Sequence, residues 1–282
     1  MRGSRPVLVL CAGTQSSGST LVSWCFLQRR DMNGYLDADN DILHTIPKHL
    51  GQPFVWYKTT LSSFRLSELI RHYEDEDWEV RPLLILRDVR AVFGSLAGKP
   101  YGQNGTTAED PPLRLRLRRF REDWERGQRL DIPMLRYEDF VSHPTKALQE
   151  ICEKLLLPWD EGMIHWPKPF GQIHDTRHGN ATFLRNRGNE LLTSLQPLPE
   201  HPDIRRIAPG DLAWLESEFA EFNRVNGYPL QMPHSSNGDV CERSVPRYDV
   251  TRRHKWTLHQ RPLRYLAYRA RQWVQRGWGK AG

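Results

Sequence analysis

Two short stretches hold the residues whose types and spacing suit chemistry. The first is Gly13-Thr-Gln-Ser-Ser-Gly18-Ser-Thr20, a run of small residues directly after the apolar Val7–Cys11. Such a turn can wrap backbone N–H groups around a phosphate, and the start of a following helix adds its positive end. Gly13, Gly18 and Thr20 fit the phosphate-loop pattern G-x-x-x-x-G-K-[ST], but Ser19 stands where its lysine belongs. Nothing in the loop then reaches a terminal phosphate, which disfavours hydrolysis of ATP or GTP. A glycine-serine turn can also cap a helix and bind nothing. The second stretch is Leu83-Leu-Ile-Leu-Arg87, followed eight residues later by Ser95. A guanidinium at a strand end and a hydroxyl about two helical turns on can grip one phosphate together. Arg87 paired with Asp88, with Ser95 facing solvent, is the plainer alternative.

These residues need a scaffold, and the apolar pattern supplies one. Val7–Cys11, Phe54–Tyr57, Leu83–Leu86 and Ile132–Leu135 read as strands buried on both faces. Helical spacing alternates with them at Ser19–Gln28, Asp88–Ala97, Leu113–Leu130 and Pro144–Leu156. The alternation predicts a doubly wound parallel α/β sheet flanked by helices, with right-handed crossovers and a phosphate-loop-like first turn. Beyond Pro158 the chain is irregular up to about Pro209. A helix is then expected over Asp211–Asn226, with Gly227 as its C-terminal cap. One α/β domain over residues 1–230 and a linker with a basic extension over 231–282 complete the layout.

The two stretches resemble the sulfotransferases that use 3′-phosphoadenosine 5′-phosphosulfate. Gln15-Ser-Ser-Gly-Ser-Thr20 is similar to their 5′-phosphosulfate loop, although Ser16 replaces the usual Lys or Arg. Arg87-Asp-Val-Arg through Ser95 resembles their Arg-Asp-Pro-Arg-x-x-x-x-Ser, with Val89 for the common proline. Tyr137-Glu138-Asp139 before Pro144, and Gly227-Tyr228 after the last helix, are similar to two further family segments. Both are expected to be structural. His174–Asn180 and Arg185 are only loosely similar to another, so no roles are given to single residues there.

The resemblance implies transfer of a sulfuryl group to an acceptor hydroxyl or amine on a sugar, lipid, peptide or small metabolite, with no metal required. It implies that Ser16, Ser17, Gly18, Ser19 and Thr20 hold the 5′-phosphosulfate and that Arg87 and Ser95 hold the 3′-phosphate. Lys58, in Trp56-Tyr57-Lys58-Thr59-Thr60, is similar to the Lys of a family Lys-Thr-His and is the candidate for the cation missing at Ser16. Thr60 takes the place of the histidine base and cannot act as one. Asp37 fits the carboxylate that carbohydrate and bacterial members use, with Asp39 and His44 behind it. An ordinary solvated loop acid is the alternative at Asp37. Two rival functions stand beside this one: a phosphate-loop phosphotransferase or kinase, and a catalytically degenerate nucleotide-binding protein.

Bulk properties are those of a folded chain. Of 282 residues, 38% are hydrophobic and 26% charged, and no run approaches the roughly 20 apolar residues of a membrane span. The first apolar stretch is shorter than the roughly 7–15 residues of a secretory signal core, so a cytoplasmic location is expected. Cys11, Cys25, Cys152 and Cys241 are widely spaced and predict reduced thiols with no zinc site. From Arg243 onward eleven Lys and Arg face one acid, Asp249, about +10, while the other 242 residues carry 29 basic and 33 acidic side chains, −4. Within that tail Pro262–Trp278 reads as a basic, tryptophan-bearing amphipathic helix. It suits an anionic membrane surface, or packing against the oppositely charged body. Nothing in the chain resembles a nucleic-acid module.

Overall fold

The computed structural model describes residues 5–38, 46, 51–61, 64–97, 112–173, 204 and 207–231. Five parallel strands form one sheet in the order β2-β3-β1-β4-β5. They are β1 (Val7–Gly13), β2 (Met32–Ala38), β3 (Phe54–Thr60), β4 (Glu79–Leu86) and β5 (Met134–Arg136). The helices are α1 (Ser19–Leu27), α2 (Leu66–Asp75), α3 (Val89–Ala97), α4 (Pro112–Arg129), α5 (Tyr137–Ser142), α6 (Pro144–Lys154), α7 (Gly162–His165), α8 (Pro209–Glu218) and α9 (Ala220–Val225). No described helix is long and apolar enough to cross a membrane.

The central strand explains the layering. β1 is buried along its whole length, and its side chains alternate between two cores. Leu8, Leu10 and Ala12 join Tyr57, Leu84, Trp124 and Phe222; Val9 and Cys11 join Trp24, Phe26, Trp56 and Leu148 on the other face. Helices cover both faces, so the expected doubly wound α/β sheet is the fold observed.

Several boundaries differ from expectation. β2 was not foreseen, because Met-Asn-Gly-Tyr-Leu-Asp-Ala lacks β-branched residues and holds a glycine. Gly34 is nonetheless required: at φ 149° a Cβ there would sit 1.9 Å from the Trp56 carbonyl oxygen. The amphipathic α2 was also missed, although Leu66, Leu69 and Tyr73 are buried beneath it. The single helix expected over Asp211–Asn226 is two, interrupted at Phe219 (φ −111°, ψ 18°). Gly227 does cap its end, at φ 70°, with Tyr228 N–H donating to the Asn223 carbonyl at 2.8 Å. Asp39, His44, His174–Asn180, Arg185, Cys241 and the basic segment Pro262–Trp278 lie outside the described residues.

Candidate active site

The carboxyl ends of β1, β3 and β4 meet at one edge of the sheet, where Gly13 is level with Thr60 on one side and Ile85 on the other. β1 is also the point where the chain changes direction across the sheet, the crevice in which open α/β sheets bind ligands. From Gly13 the loop folds through a turn closed by Ser17 N–H to the Thr14 carbonyl, 3.2 Å. Ser16 (φ 66°) and Gly18 (φ 86°) both take left-handed backbone. Gly18 is further constrained by the ring of Tyr137, since a Cβ would come within 2.1 Å of it.

Gly18 is the N-cap of α1 and has no side chain with which to cap. The first N–H groups of that helix are therefore presented at the edge of the sheet, and its first turn carries no acidic residue. Ser17 is fully buried, and its Oγ has no hydrogen-bond partner among the described residues. A buried hydroxyl left unmatched is costly, and an acceptor arriving at the loop would satisfy it.

The second stretch comes to the same place. Arg87 Nη1 donates to the backbone oxygen of Ser16 at 2.7 Å, and Ser95 Oγ lies 3.1 Å from Ser16 Oγ. The Arg87 guanidinium stands 4.6 Å from the centre of the Tyr137 ring, and its Nε lacks a partner among the described residues. Arg87 does not pair with Asp88. That carboxylate instead takes a bidentate pair of bonds from Arg90, at 2.8 and 2.7 Å, and the N–H of the same residue. Arg90 is wholly buried and also binds Glu216 at 3.0 Å and the Pro229 carbonyl at 2.6 Å. It ties α3 to the closing segment and leaves Arg87 to face the loop. Glu138 adds a second tie, accepting from Asp88 N–H at 2.9 Å and from Tyr228 Oη at 2.8 Å. Burial, the largest cause, raises the Tyr137 hydroxyl above its ordinary pKa, opposed by Arg87.

Asp37 and Lys58 meet on the other flank. Lys58 Nζ donates to Asp37 Oδ1 at 2.8 Å and to Thr60 Oγ1 at 3.4 Å. Asp37 is not a solvated loop acid. It is the last residue but one of an edge strand, is 7% exposed, and lies where the register of β2 against β3 shifts between Tyr35 and Ala38. Lys58, 3% exposed, comes to the site as half of an ion pair.

Residues 35–161 match the model of the sulfotransferase family. Over that stretch the chain is similar to the sulfotransferase family. That segment spans Asp37, Lys58, Arg87, Ser95 and Tyr137, while the loop at Gly13–Thr20 precedes it. No curated protein matches the sequence. Solved structures similar in shape include the sulfotransferase domain from the curacin biosynthetic pathway: 14% identity, 81% of this chain and 100% of that chain covered, TM-score 0.49. Another is the sulfotransferase domain of the Synechococcus PCC 7002 olefin synthase: 15% identity, 78% and 97% covered, TM-score 0.47. A third is a sulfotransferase from Mycobacterium avium: 13% identity, 83% and 79% covered, TM-score 0.46.

Two contacts at this edge of the sheet escaped the sequence reading. Tyr137, expected only to join strand to helix, also packs against Gly18 and under Arg87. Arg116 of α4 donates from Nη1 to Gln15 Oε1, at the start of the loop. A run of arginines from 114 to 121 was visible, but which of them turns toward the loop was not. The buried thiols are inert: burial lifts Cys11 to about 12 and Cys152 to about 11. Among the described residues no group of His, Cys, Asp or Glu could hold a metal ion.

Proposed function

We propose that this protein transfers a sulfuryl group from 3′-phosphoadenosine 5′-phosphosulfate to a hydroxyl, or an amine, of a sugar, lipid, peptide or small metabolite. The observation that carries the reading is the convergence on Ser16, where Arg87 and Ser95 touch the tip of a loop built to receive an anion. The residues fit the donor chemically. Ser17, Ser19, Thr20 and the N–H groups at the start of α1 would take the 5′-phosphosulfate end, and Arg87 with Ser95 the 3′-phosphate. When bound, the donor supplies an activated sulfuryl group whose leaving group is adenosine 3′,5′-bisphosphate.

The chain's own residues then do the work of positioning and proton handling. Asp37 accepts the proton of the acceptor hydroxyl as its oxygen bonds to sulfur. Lys58 fixes that carboxylate through Oδ1. The N–H groups of α1 stabilise the negative charge gathering on the 5′-phosphate oxygens as the sulfuryl group leaves, while Arg87 orients the nucleotide through its 3′-phosphate. A phosphotransferase using ATP is disfavoured by Ser19 in place of a loop lysine. A degenerate protein would bind the bisphosphate tightly and show no turnover of the donor.

Thermal unfolding with adenosine 3′,5′-bisphosphate, against ATP with magnesium, tests the reading. At a hundredfold excess over its dissociation constant, the bisphosphate without metal should stabilise the protein by about 2.7 kcal/mol. Stabilisation by ATP with magnesium and none by the bisphosphate overturns it. A membrane-surface role for the basic segment Pro262–Trp278 is a separate proposal. Its test is sedimentation of the full chain, and of a chain ending at residue 244, with anionic liposomes.

A further inference from the structure

A nucleotide charged at both its 3′ and its 5′ ends needs two receptors held at a fixed separation, since a misplacement of about 1 Å can cost a hundredfold in rate. In this chain the two receptors belong to different elements, the loop after β1 and the segment from β4 into α3, and Ser16 joins them. Ser16 takes left-handed backbone at φ 66°. That conformation is unfavourable for a residue with a Cβ and persists only where its neighbours over-determine it. The neighbours here are Arg87 and Ser95. Arg87 Nη1 donates to the Ser16 carbonyl oxygen at 2.7 Å, and Ser95 Oγ donates to Ser16 Oγ at 3.1 Å. Main chain and side chain of Ser16 are thus both held by the residues that would grip the 3′-phosphate.

Neither bond exhausts its donor. A guanidinium has five N–H groups; one goes to Ser16, and Nε has no partner among the described residues. A hydroxyl donates once and accepts twice. Ser95 can therefore turn its proton to a phosphate oxygen and accept one from Ser16 instead, with the contact between the two hydroxyls kept. Hydrogen bonds in a chain polarise one another, so a 3′-phosphate on Arg87 and Ser95 would tighten their hold on Ser16 rather than compete with it. Directly after Ser16 come the buried Ser17 hydroxyl and Gly18, the N-cap of α1. These are the groups that would receive the 5′ end.

We infer that Ser16 is a positioning residue that couples the two ends of the nucleotide site. Its hydroxyl braces Ser95 and its carbonyl braces Arg87, so occupancy of the 3′ end pre-organises the loop for the 5′ end. The coupling is reciprocal, as linkage between two binding events must be. The inference rests on the sulfotransferase reading, and its test separates the two. Calorimetric titration of the full chain with adenosine 3′,5′-bisphosphate and with adenosine 5′-monophosphate compares Ser16→Ala, Ser95→Ala and the double variant. Each single variant should bind the bisphosphate about 2- to 10-fold more weakly, the worth of one neutral hydrogen bond. The double variant should lose about 2- to 10-fold less than the product of the two single losses, because both remove the same contact. Ser95→Ala should also weaken the 5′-monophosphate about 2- to 10-fold, although that ligand offers Ser95 no phosphate to hold. Ser16→Gly removes the hydroxyl without the left-handed strain and should show the same coupling. Ligand-free unfolding of each variant confirms that it folds. If the single losses simply multiply in the double variant, or if Ser95→Ala binds the 5′-monophosphate as the parent does, Ser16 serves the 5′ end alone. The inference then falls while the sulfotransferase reading stands. Should the parent bind no bisphosphate, both fall together.

Discussion

Lys58 Nζ and Asp37 Oδ1 form a 2.8 Å ion pair across neighbouring parallel strands, with side chains only 4% and 10% exposed. Removing one partner from such a pair leaves an unmatched buried charge, at a cost of about 3–5 kcal/mol. Lys58→Met should lower stability by that amount in urea unfolding. Asp37→Asn keeps an acceptor for the ammonium and should cost less, about 1–2 kcal/mol. Its larger effect should be on chemistry. Formation of adenosine 3′,5′-bisphosphate from the donor should fall about 10²- to 10⁴-fold, with bisphosphate affinity unchanged. Full activity in Asp37→Asn would remove that residue from the mechanism.

Arg87 and Ser95 should separate by magnitude. Arg87→Ala loses a charged bond and should weaken bisphosphate binding by about 1.5–3 kcal/mol. Ser95→Ala loses a neutral hydroxyl and should cost about 0.5–1.5 kcal/mol. Calorimetric titration gives both numbers. A larger loss from Ser95→Ala than from Arg87→Ala is the result that contradicts the assignment of charge recognition to Arg87.

Gly18 is held by two constraints, so one repair should not be enough. Gly18→Ala would meet left-handed backbone at φ 86° and the Tyr137 ring at 2.1 Å. We expect a loss of about 2–4 kcal/mol in thermal unfolding, together with loss of bisphosphate binding. Adding Tyr137→Ala removes the ring but not the backbone strain. That double variant should therefore regain little nucleotide affinity, the more so because Arg87 loses the ring beneath it. Full recovery in the double variant would show the ring contact to be the whole effect.

What could be read in advance follows a physical division. Buried strands such as Val7–Cys11 and Leu83–Leu86 declare themselves by apolar runs, because both faces must be covered. The loop and Arg87 with Ser95 were legible because their spacing sits at strand ends, where the chain leaves little freedom. β2 was not legible, since its fit depends on Gly34 lying against the Trp56 carbonyl, a contact between strands. The burial of Asp37 follows from the same missed strand. The direction of Arg116 depends on which helix face α8 occupies, which no local pattern encodes. Asp88 was paired with the wrong arginine in the simplest reading, because Glu216 and Pro229, more than 120 residues later, complete the site that takes Arg90.

Asp123 gives a pH test that is independent of the ligand. It lies on α4, 3% exposed, and its Oδ1 accepts the N–H of Leu66 at the start of α2, 3.1 Å. Burial, the largest cause, raises its pKa from 3.8 to about 7, against the Leu66 bond and the charges of Arg65 and Arg126, with Glu122 adding to the rise. The folded state thus holds a proton that the unfolded chain has already released. From this group, stability is greatest below about pH 4 and declines as pH rises toward 7. The whole shift corresponds to at most about 4 kcal/mol, at 1.36 kcal/mol per pH unit. Asp123→Asn keeps an acceptor for Leu66 and carries no charge at any pH. Relative to the parent it should gain about 1–3 kcal/mol between pH 5 and pH 8 in urea unfolding. Asp123→Ala loses the acceptor as well, and should be about 1 kcal/mol less stable than Asp123→Asn at both pH values. A parent–Asn difference that does not move with pH would mean that Asp123 is ionised in the folded protein throughout this range.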